Sequence, residues 1–358
     1  MPFKLLGSFF PVRVHVRPVV LISAFIVSVF ANFWPVRIAC AQDAARNPPP
    51  PGKLVDLGGW RMHLHCTGRS VEGAPTVVLE AGAGDSSIEW SLVQPRVARF
   101  ARVCSYDRSG SAWSDLGPYP RTGRQIVYEL RTLLARAKER PPYLLVGHSM
   151  GGRYVRMFAT AYRELAAGLV LVDANHEDDL LFINGKFIRQ WETATGKEVP
   201  AVKTSMPLRL EDLPADVREK IEAAARDADP QADHPPYNQL PRDARIAREW
   251  AWSQPKHFAA NNSPFEGDEA LALRTERQTV QHPLGDLPLV VLTRGLPVTG
   301  PRAEQIEPER KQHQTELVSL SSAGQQTVAN GSGHHIHIDE PAAVVDAIRD
   351  VLMRSANQ

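Results

Sequence analysis

The chain has 358 residues, with 41 lysines and arginines against 40 aspartates and glutamates, and a formal net charge of +1. This balance lacks the basic surface typical of nucleic-acid-binding proteins, so we expect no nucleic-acid partner. Hydrophobic residues make up 43% of the chain, as in ordinary globular proteins. The length allows one large domain with an insertion, or two small domains.

The first 41 residues have the pattern of a secretory signal peptide, which predicts an exported protein. A basic stretch precedes an apolar run at 19–31, and Ala39–Ala41 reads as an A-x-A cleavage site. An uncleaved membrane anchor is the alternative, because the apolar run continues to about residue 34. Asn32 and Pro35 interrupt that run, whereas a spanning helix needs about 20 apolar residues.

After a proline-rich segment at 42–52, which predicts a flexible spacer, the chain alternates strand-like and helix-like segments. Such alternation indicates a parallel sheet with helices on both faces. The strand-like segments lie at 54–57, 60–65, 75–79, 103–106, 143–146, 168–172, 287–292 and 325–329, and the helix-like ones at 122–138, 153–162, 304–319 and 341–353.

The alternation breaks between residues 176 and 283. This stretch contains amphipathic helical pieces and prolines, and it shows no convincing strand pattern. Because both of its flanks belong to the sheet domain, we interpret it as a helical cap inserted between two parts of one core, 53–175 and 284–358. A separately folding second domain is the alternative.

The segment Tyr143–Gly152, YLLVGHSMGG, has the pattern of a nucleophile elbow. An apolar run ends at Gly147, Ser149 follows within a G-x-S-x-G motif, and a helix-like segment begins at once. Glycines allow the close backbone approach that this turn needs. We therefore interpret Ser149 as a catalytic nucleophile. The backbone N–H of Met150, at a helix N-terminus, is the first candidate donor to an oxyanion.

A serine hydroxyl needs a base within hydrogen-bonding distance, and the candidate base is His334. It lies in a glycine-rich loop after the last strand, at the sheet edge where the elbow is expected. His335 and His337 are alternatives for this role. Three neighbouring histidines also suggest a metal site, but no other acidic or histidine cluster in the sequence completes a set of ligands, so we expect no metal.

The carboxylate that orients the base is assigned to Asp173. It ends the strand after the elbow helix, which places it one strand from the nucleophile at the same sheet edge. The loop after the next strand contains no aspartate. Glu304 in that loop is the first alternative, and Glu307 and Asp178 are the others.

A second oxyanion donor is expected in the small-residue loop after the strand at 75–79. The sequence Gly82-Ala83-Gly84 leaves room for a backbone N–H beside a reacting carbon. We assign this role to Ala83, with Met150 as its partner.

Together these residues resemble the α/β-hydrolase superfamily, in the branch that carries a single helical cap after the sixth strand. The resemblance covers about 53–175 and 284–355. The motifs that carry it are the elbow, the loop Asp107–Ser114, the histidine loop Gly331–His334 and the order serine, acid, histidine.

Two positions depart from the usual pattern of that superfamily. Ala81 stands where relatives often have a histidine in the oxyanion loop, and the aspartate common after the seventh strand is missing. Some members carry the acid after the sixth strand, which is where Asp173 falls. The resemblance also implies a mostly parallel sheet of eight strands. Its usual strand order makes the second and fourth strands neighbours, which implies a disulfide between Cys66 and Cys104.

The resemblance implies hydrolysis of a small-molecule acyl compound, most simply a carboxylic ester, without a cofactor or a partner protein. A serine nucleophile differs from the aspartate of haloalkane dehalogenases and epoxide hydrolases. Lactones, thioesters, carbon–carbon bonds in diketones and peptides are the alternative substrates. A non-catalytic binding protein of the same fold is the alternative from another functional class.

Overall fold

The computed structural model describes residues 47–357 except 184, 262, 264 and 300–302, so the predicted signal peptide lies outside the described residues. The described strands are β1 (Lys53–Asp56), β2 (Arg61–Thr67), β3 (Thr76–Glu80), β4 (Val103–Tyr106), β5 (Tyr143–His148), β6 (Ala166–Val172), β7 (Leu180–Ile183), β8 (Lys186–Arg189), β9 (Leu289–Arg294) and β10 (Gly324–Ala329). The α-helices are α1 (Gln94–Val97), α2 (Gly123–Arg136), α3 (Met150–Ala161), α4 (Ala215–Arg226), α5 (Arg242–Trp252), α6 (Pro255–Ala260), α7 (Glu266–Thr279), α8 (Ala303–Val318), α9 (Ile336–Asp339) and α10 (Pro341–Ser355). None of the helices in these ranges has the length and apolar character of a membrane span.

Eight strands form one sheet in the order β1-β2-β4-β3-β5-β6-β9-β10. Only β2 runs against the others, since it pairs antiparallel with both β1 and β4 while the remaining pairs are parallel. The predicted sheet of eight mostly parallel strands is therefore confirmed. Parallel pairing places the carboxyl ends of β3, β5, β6, β9 and β10 at one edge, where ligands bind in open α/β sheets.

Apolar residues of the central strands alternate between two cores, one on each face of the sheet. Leu145 of β5 packs in the core that also contains Leu130 of α2 and Phe158 of α3. Its neighbour Val146 packs in the other core, with Val344 of α10. Burying one such side chain contributes about 1.5–3 kcal/mol relative to leaving it exposed. The two cores hold β5 from both sides, so the turn that follows this strand starts from a fixed support.

The segment 176–283 connects β6 to β9 and contains α4–α7 together with the small hairpin β7–β8. The expectation that this segment has no strand is wrong, because Leu180–Ile183 pairs antiparallel with Lys186–Arg189. A four-residue apolar run cannot be distinguished from part of a helix by its periodicity. The sequence does contain the dipeptide Asn184-Gly185 in this segment, and such a dipeptide is a frequent signal for a β-hairpin.

Arg248 of α5 joins the 176–283 segment to the loop that follows β3. Its guanidinium is 3% exposed and donates to Asp85 Oδ1 at 3.0 Å and to Glu89 Oε1. It also lies 3.6 Å from the ring centre of Tyr237. The segment therefore contacts the carboxyl edge of the sheet through a buried ion pair, which we call the Arg248 anchor (Arg248, Asp85 and Glu89).

The described end of the predicted spacer is attached to the core by hydrogen bonds. The backbone oxygen of Pro48 accepts from Trp113 Nε1 at 2.7 Å, and the backbone N–H of Gly52 donates to His63 Nε2 at 3.2 Å. Residues 48 and 52 are thus part of the folded unit, although their composition resembles that of a flexible linker.

A disulfide joins Cys66 and Cys104, which are 38 positions apart in the sequence. The two residues are direct partners in the antiparallel register of β2 and β4. The bond therefore ties the one antiparallel strand of the large sheet to its parallel part.

Breaking this disulfide is expected to lower the melting temperature, because the cross-link restricts the unfolded chain. For a loop of this length the chain-entropy estimate is about 4 kcal/mol, which corresponds to a fall in Tm of about 5–10 °C. Thermal unfolding followed by circular dichroism with and without reductant measures the effect. The double variant Cys66→Ser/Cys104→Ser is the control, since its Tm should not respond to reductant. Mass spectrometry that finds both thiols free in the oxidised protein would contradict the prediction.

Candidate active site

Ser149 occupies a strained turn between β5 and α3. Its backbone has φ 52° and ψ −123°, in the left-handed range that costs a non-glycine residue about 1–3 kcal/mol. A Cβ on Gly147 would lie 2.6 Å from the oxygen of Gly151, and one on Gly151 would lie 2.5 Å from the oxygen of Ala81. Only glycine fits at both positions, so the sequence motif is required by the closeness of the neighbouring backbone.

His334 and Asp173 lie side by side at the same edge of the sheet. His334 follows β10, Asp173 follows β6 directly, and His334 Nδ1 lies 2.7 Å from Asp173 Oδ2. An ionised carboxylate only accepts hydrogen bonds, so Nδ1 carries a proton and Nε2 of the neutral ring keeps its lone pair. The imidazole is about one third exposed, and the carboxylate is buried.

The charge of Asp173 is stabilised from several sides. Burial by itself would raise the pKa of this carboxyl, but the hydrogen bond to His334 and the charges of Arg294 and Arg310 outweigh it. Arg310 Nη1 lies 3.4 Å from Oδ1, and Arg294 Nη1 lies 3.5 Å from Oδ2. The pKa of Asp173 is therefore held below its usual value, and the residue is ionised at neutral pH.

The alternative acids are engaged elsewhere or turned to solvent. Glu307 pairs with Arg310 at 2.6 Å, and Asp178 pairs with Arg277 at 2.6 Å. Glu304 is exposed in the first turn of α8. Of the four carboxylates considered from the sequence, the structure brings Asp173 to His334.

The alternative bases have other neighbours. Nε2 of His335 lies 2.7 Å from the hydroxyl of Tyr237. His337 is buried, with its ring centre 4.7 Å from that of Trp90. Burial and the adjacent imidazoles lower the pKa of His337 well below its usual value, so this ring is neutral. His334 is the member of the group that faces a carboxylate after β6.

The Ser149 hydroxyl is hydrogen-bonded to Asn175, a residue that the sequence analysis did not identify. Ser149 Oγ donates to Asn175 Oδ1 at 3.0 Å, and the backbone N–H of Asn175 donates to the backbone oxygen of Ser149, also at 3.0 Å. Among the described residues no hydrogen bond joins Ser149 Oγ to His334. Nothing in the sequence signals the Asn175 contact, since it depends on how the loop after β6 folds back on the elbow.

His148 connects the elbow to the histidine loop. Its Nε2 lies 3.0 Å from the backbone oxygen of His334, and the two ring centres are 4.7 Å apart. Since a carbonyl only accepts, Nε2 of His148 carries the proton. Burial, together with the nearby imidazoles, lowers the pKa of His148 well below its usual value. A neutral ring immediately before Ser149 thus holds the backbone of His334 in place.

Ala83 and Met150 line one cavity of about 270 Å³, as expected if their N–H groups act on the same atom. Met150 is the first residue of α3, so its N–H has no acceptor within the helix. Arg108 fixes the Ala83 loop by donating to the backbone oxygens of Ala81 and Gly82 while it pairs with Glu80. Arg108 lies in the motif Asp107–Ser114, but its contact with the loop was not predicted.

Asp85, His148 and His337 approach one another closely enough to share a cation, with candidate ligand atoms within 4.8 Å. This acidic neighbour was not predicted, because Asp85 is distant from both histidines in the sequence. His148 Nδ1 lies 3.9 Å from Asp85 Oδ2, and Arg248 already compensates the carboxylate charge.

Comparison with known proteins gives the same assignment of fold. The sequence model of the alpha/beta hydrolase family matches residues 77–347. An AB hydrolase superfamily protein of Gibberella zeae is 24% identical over 310 residues, which cover 79% of this chain and 88% of the relative. An esterase from Thermogutta terrifontis has a similar fold, with a TM-score of 0.52, 19% identity, and coverage of 83% of this chain and 94% of the esterase.

An uncharacterised protein of Schizosaccharomyces pombe is 30% identical over 188 residues, which cover 44% of this chain. The match spans only 35% of that relative's length. The family match, by contrast, extends over more than half of the chain and includes Ser149, Asp173 and His334. The chain belongs to the alpha/beta hydrolase family.

Proposed function

We propose that Ser149, His334 and Asp173 form a catalytic triad and that the protein hydrolyses carboxylic esters through an acyl-enzyme. The observation that carries the proposal is the 2.7 Å contact between His334 and Asp173, at the sheet edge that also bears the strained Ser149 turn. An ionised carboxylate that orients a partly exposed imidazole is the arrangement that activates a serine, and it supports an enzyme over a binding protein.

In the acylation step, the Ser149 hydroxyl turns from Asn175 towards His334. Nε2 of His334 takes the hydroxyl proton while Oγ forms a bond to the ester carbonyl carbon. The negative charge that develops on the carbonyl oxygen is stabilised by the N–H groups of Ala83 and Met150, each worth about 3–4 kcal/mol in the transition state. The C–O bond to the leaving group then breaks, and the alcohol leaves with the proton from His334.

In the deacylation step, water attacks the acyl carbon and gives a proton to His334. The bond to Ser149 Oγ breaks, Oγ regains that proton, and the carboxylic acid leaves. Asp173 remains ionised throughout, because its role is to hold the imidazole in one tautomer and to stabilise its cationic form. Lactones and thioesters would react by the same steps.

We further propose that the segment 176–283 caps the site and that the chain is exported after removal of residues 1–41. The Arg248 anchor supports the first proposal, because it attaches α5 to the loop that carries Ala83. The pattern of the first 41 residues supports the second.

The nucleophile assignment is tested by labelling with a fluorophosphonate, which reacts with activated serines. The protein is expected to be labelled at Ser149, and Ser149→Ala is expected to abolish the labelling. Ser319→Ala, which replaces an exposed serine after α8, is the matched control and should be labelled like the natural chain. Absence of labelling in folded protein would favour the non-catalytic alternative, a binding protein of the same fold.

The acid assignment is tested by Asp173→Asn. The amide leaves the geometry nearly intact but favours the wrong histidine tautomer, so kcat for a p-nitrophenyl ester should fall about 10³- to 10⁴-fold. Glu304→Gln is the matched control and should keep natural activity.

Thermal unfolding of the Asp173→Asn variant must accompany the kinetics, because Arg294 and Arg310 lose part of their counter-charge. A loss of kcat in Glu304→Gln that exceeds the loss in Asp173→Asn would move the acid to the loop after β9.

A further inference from the structure

The cavity that Ala83 and Met150 share is small, and several hydrogen-bonding side chains lie in its wall. Its volume of about 270 Å³ lies just below the range of small-molecule sites, about 300–1,000 Å³. Most of its lining residues are polar or charged, but apolar atoms, including those of Ile126 and Ala260, contribute about half of the exposed wall. A long hydrocarbon chain would not fit into such a small space. It would also leave the hydrogen-bonding groups of the wall without partners.

The position of the cavity identifies which part of a substrate it receives. It borders both proposed oxyanion donors but not His334, which lines a separate cavity of about 260 Å³. Since His334 has to protonate the leaving group, that group must lie on the imidazole side of the carbonyl carbon. The cavity beside Ala83 and Met150 is therefore the place for the acyl part.

Two hydroxyl groups of the cavity wall have no adequate acceptor. Ser111 is 1% exposed, and its Oγ has no hydrogen-bond partner among the described residues. Tyr154 is 5% exposed, and its hydroxyl contacts only the sulfur of Met150, at 3.5 Å, among those residues. Burial raises the pKa of Tyr154, so its hydroxyl keeps the proton and remains a donor. Leaving such a group unpaired is costly, which favours a ligand with acceptor atoms.

Arg108 pairs with Glu80, and Arg121 forms two bonds to Glu129, at 2.6 and 2.7 Å, so both wall arginines are compensated. Arg153 is not among the residues that line the cavity, and its charge opposes the rise that burial causes in the pKa of Glu266 and of Glu269. Arg153 is 2% exposed, and its Nη2 donates to the backbone oxygen of Glu266. Its Nε and Nη1 have no hydrogen-bond partner among the described residues.

We infer that this cavity is an acyl subsite for a short acyl group that ends in hydrogen-bond-accepting oxygen, either a neutral carbonyl or a carboxylate. Ser111 and Tyr154 donate to that oxygen. The inference rests on the proposed function for the direction of the substrate, and it narrows that function to esters of short polar acids.

Three ethyl esters with acyl groups of similar shape test the inference. These are ethyl 4-methylpentanoate, which is apolar, ethyl succinamate, which ends in a neutral amide, and ethyl hydrogen succinate, which ends in a carboxylate. Dissociation constants are measured by NMR titration with the Ser149→Ala protein, so that no turnover interferes. At least one of the two polar esters should bind at least tenfold more tightly than the apolar ester. Tighter binding of the succinate would point to a carboxylate, and tighter binding of the succinamate to a neutral acceptor.

Replacement of each hydroxyl then tests its role. In the Ser149→Ala background, Ser111→Ala and Tyr154→Phe should each reduce the preference for the polar ester at least threefold. Tyr162→Phe, directly after α3, is the matched control and should retain the preference. Equal or tighter binding of the apolar ester overturns the inference, as does an unchanged preference in both variants.

Turnover of the same esters by the natural chain separates this inference from the proposed function. If the polar esters bind preferentially but are not cleaved, and Ser149 is not labelled by a fluorophosphonate, the subsite stands and the triad proposal fails. If the apolar ester is preferred and is cleaved through Ser149, the triad proposal stands and the subsite fails.

Discussion

The turn at Ser149 exists only because glycines let neighbouring segments approach its backbone very closely. Gly151 packs against the oxygen of Ala81, and Gly152 packs against Ala174, where an added Cβ would lie 2.5 and 2.3 Å from its neighbours. These contacts bring the loop after β3 and the end of β6 against the elbow. Three stretches distant in sequence thereby converge on one serine, and all other features of the site depend on that convergence.

Buried charge is the second requirement of this edge, and three of the described carboxylates there each pair with at least one arginine. Asp173 has Arg294 and Arg310, Glu80 has Arg108, and Asp85 has Arg248. A buried carboxylate without such a partner would take up a proton or destabilise the fold. Compensation leaves Asp173 ionised beside an imidazole that remains partly open to solvent, which is the electrostatic setting that a serine nucleophile requires.

Much of the sheet and of the candidate triad followed from the sequence, because both depend on local patterns. Apolar runs predicted the strands, and the G-x-S-x-G motif predicted the turn. The position of Asp173 could be predicted because a residue at the end of a parallel strand lies at the carboxyl edge of the sheet. Asn175, the contact of Arg108 with Ala81 and the approach of Asp85 to His148 could not be predicted. These contacts depend on how loops that are distant in sequence pack against one another, and the hydrophobic periodicity of the sequence carries no information about such packing. The β7–β8 hairpin was not predicted, because a run of four apolar residues is equally compatible with a helix.

The Arg248 anchor restricts how far α5 can move. Withdrawing one partner from a buried ion pair costs about 3–5 kcal/mol, and here one guanidinium serves both Asp85 and Glu89. A hinge motion that moved α5 away from the sheet would have to break this ion pair. It would also displace the loop that contains Ala83. The anchor therefore opposes any displacement of α5 from the carboxyl edge of the sheet.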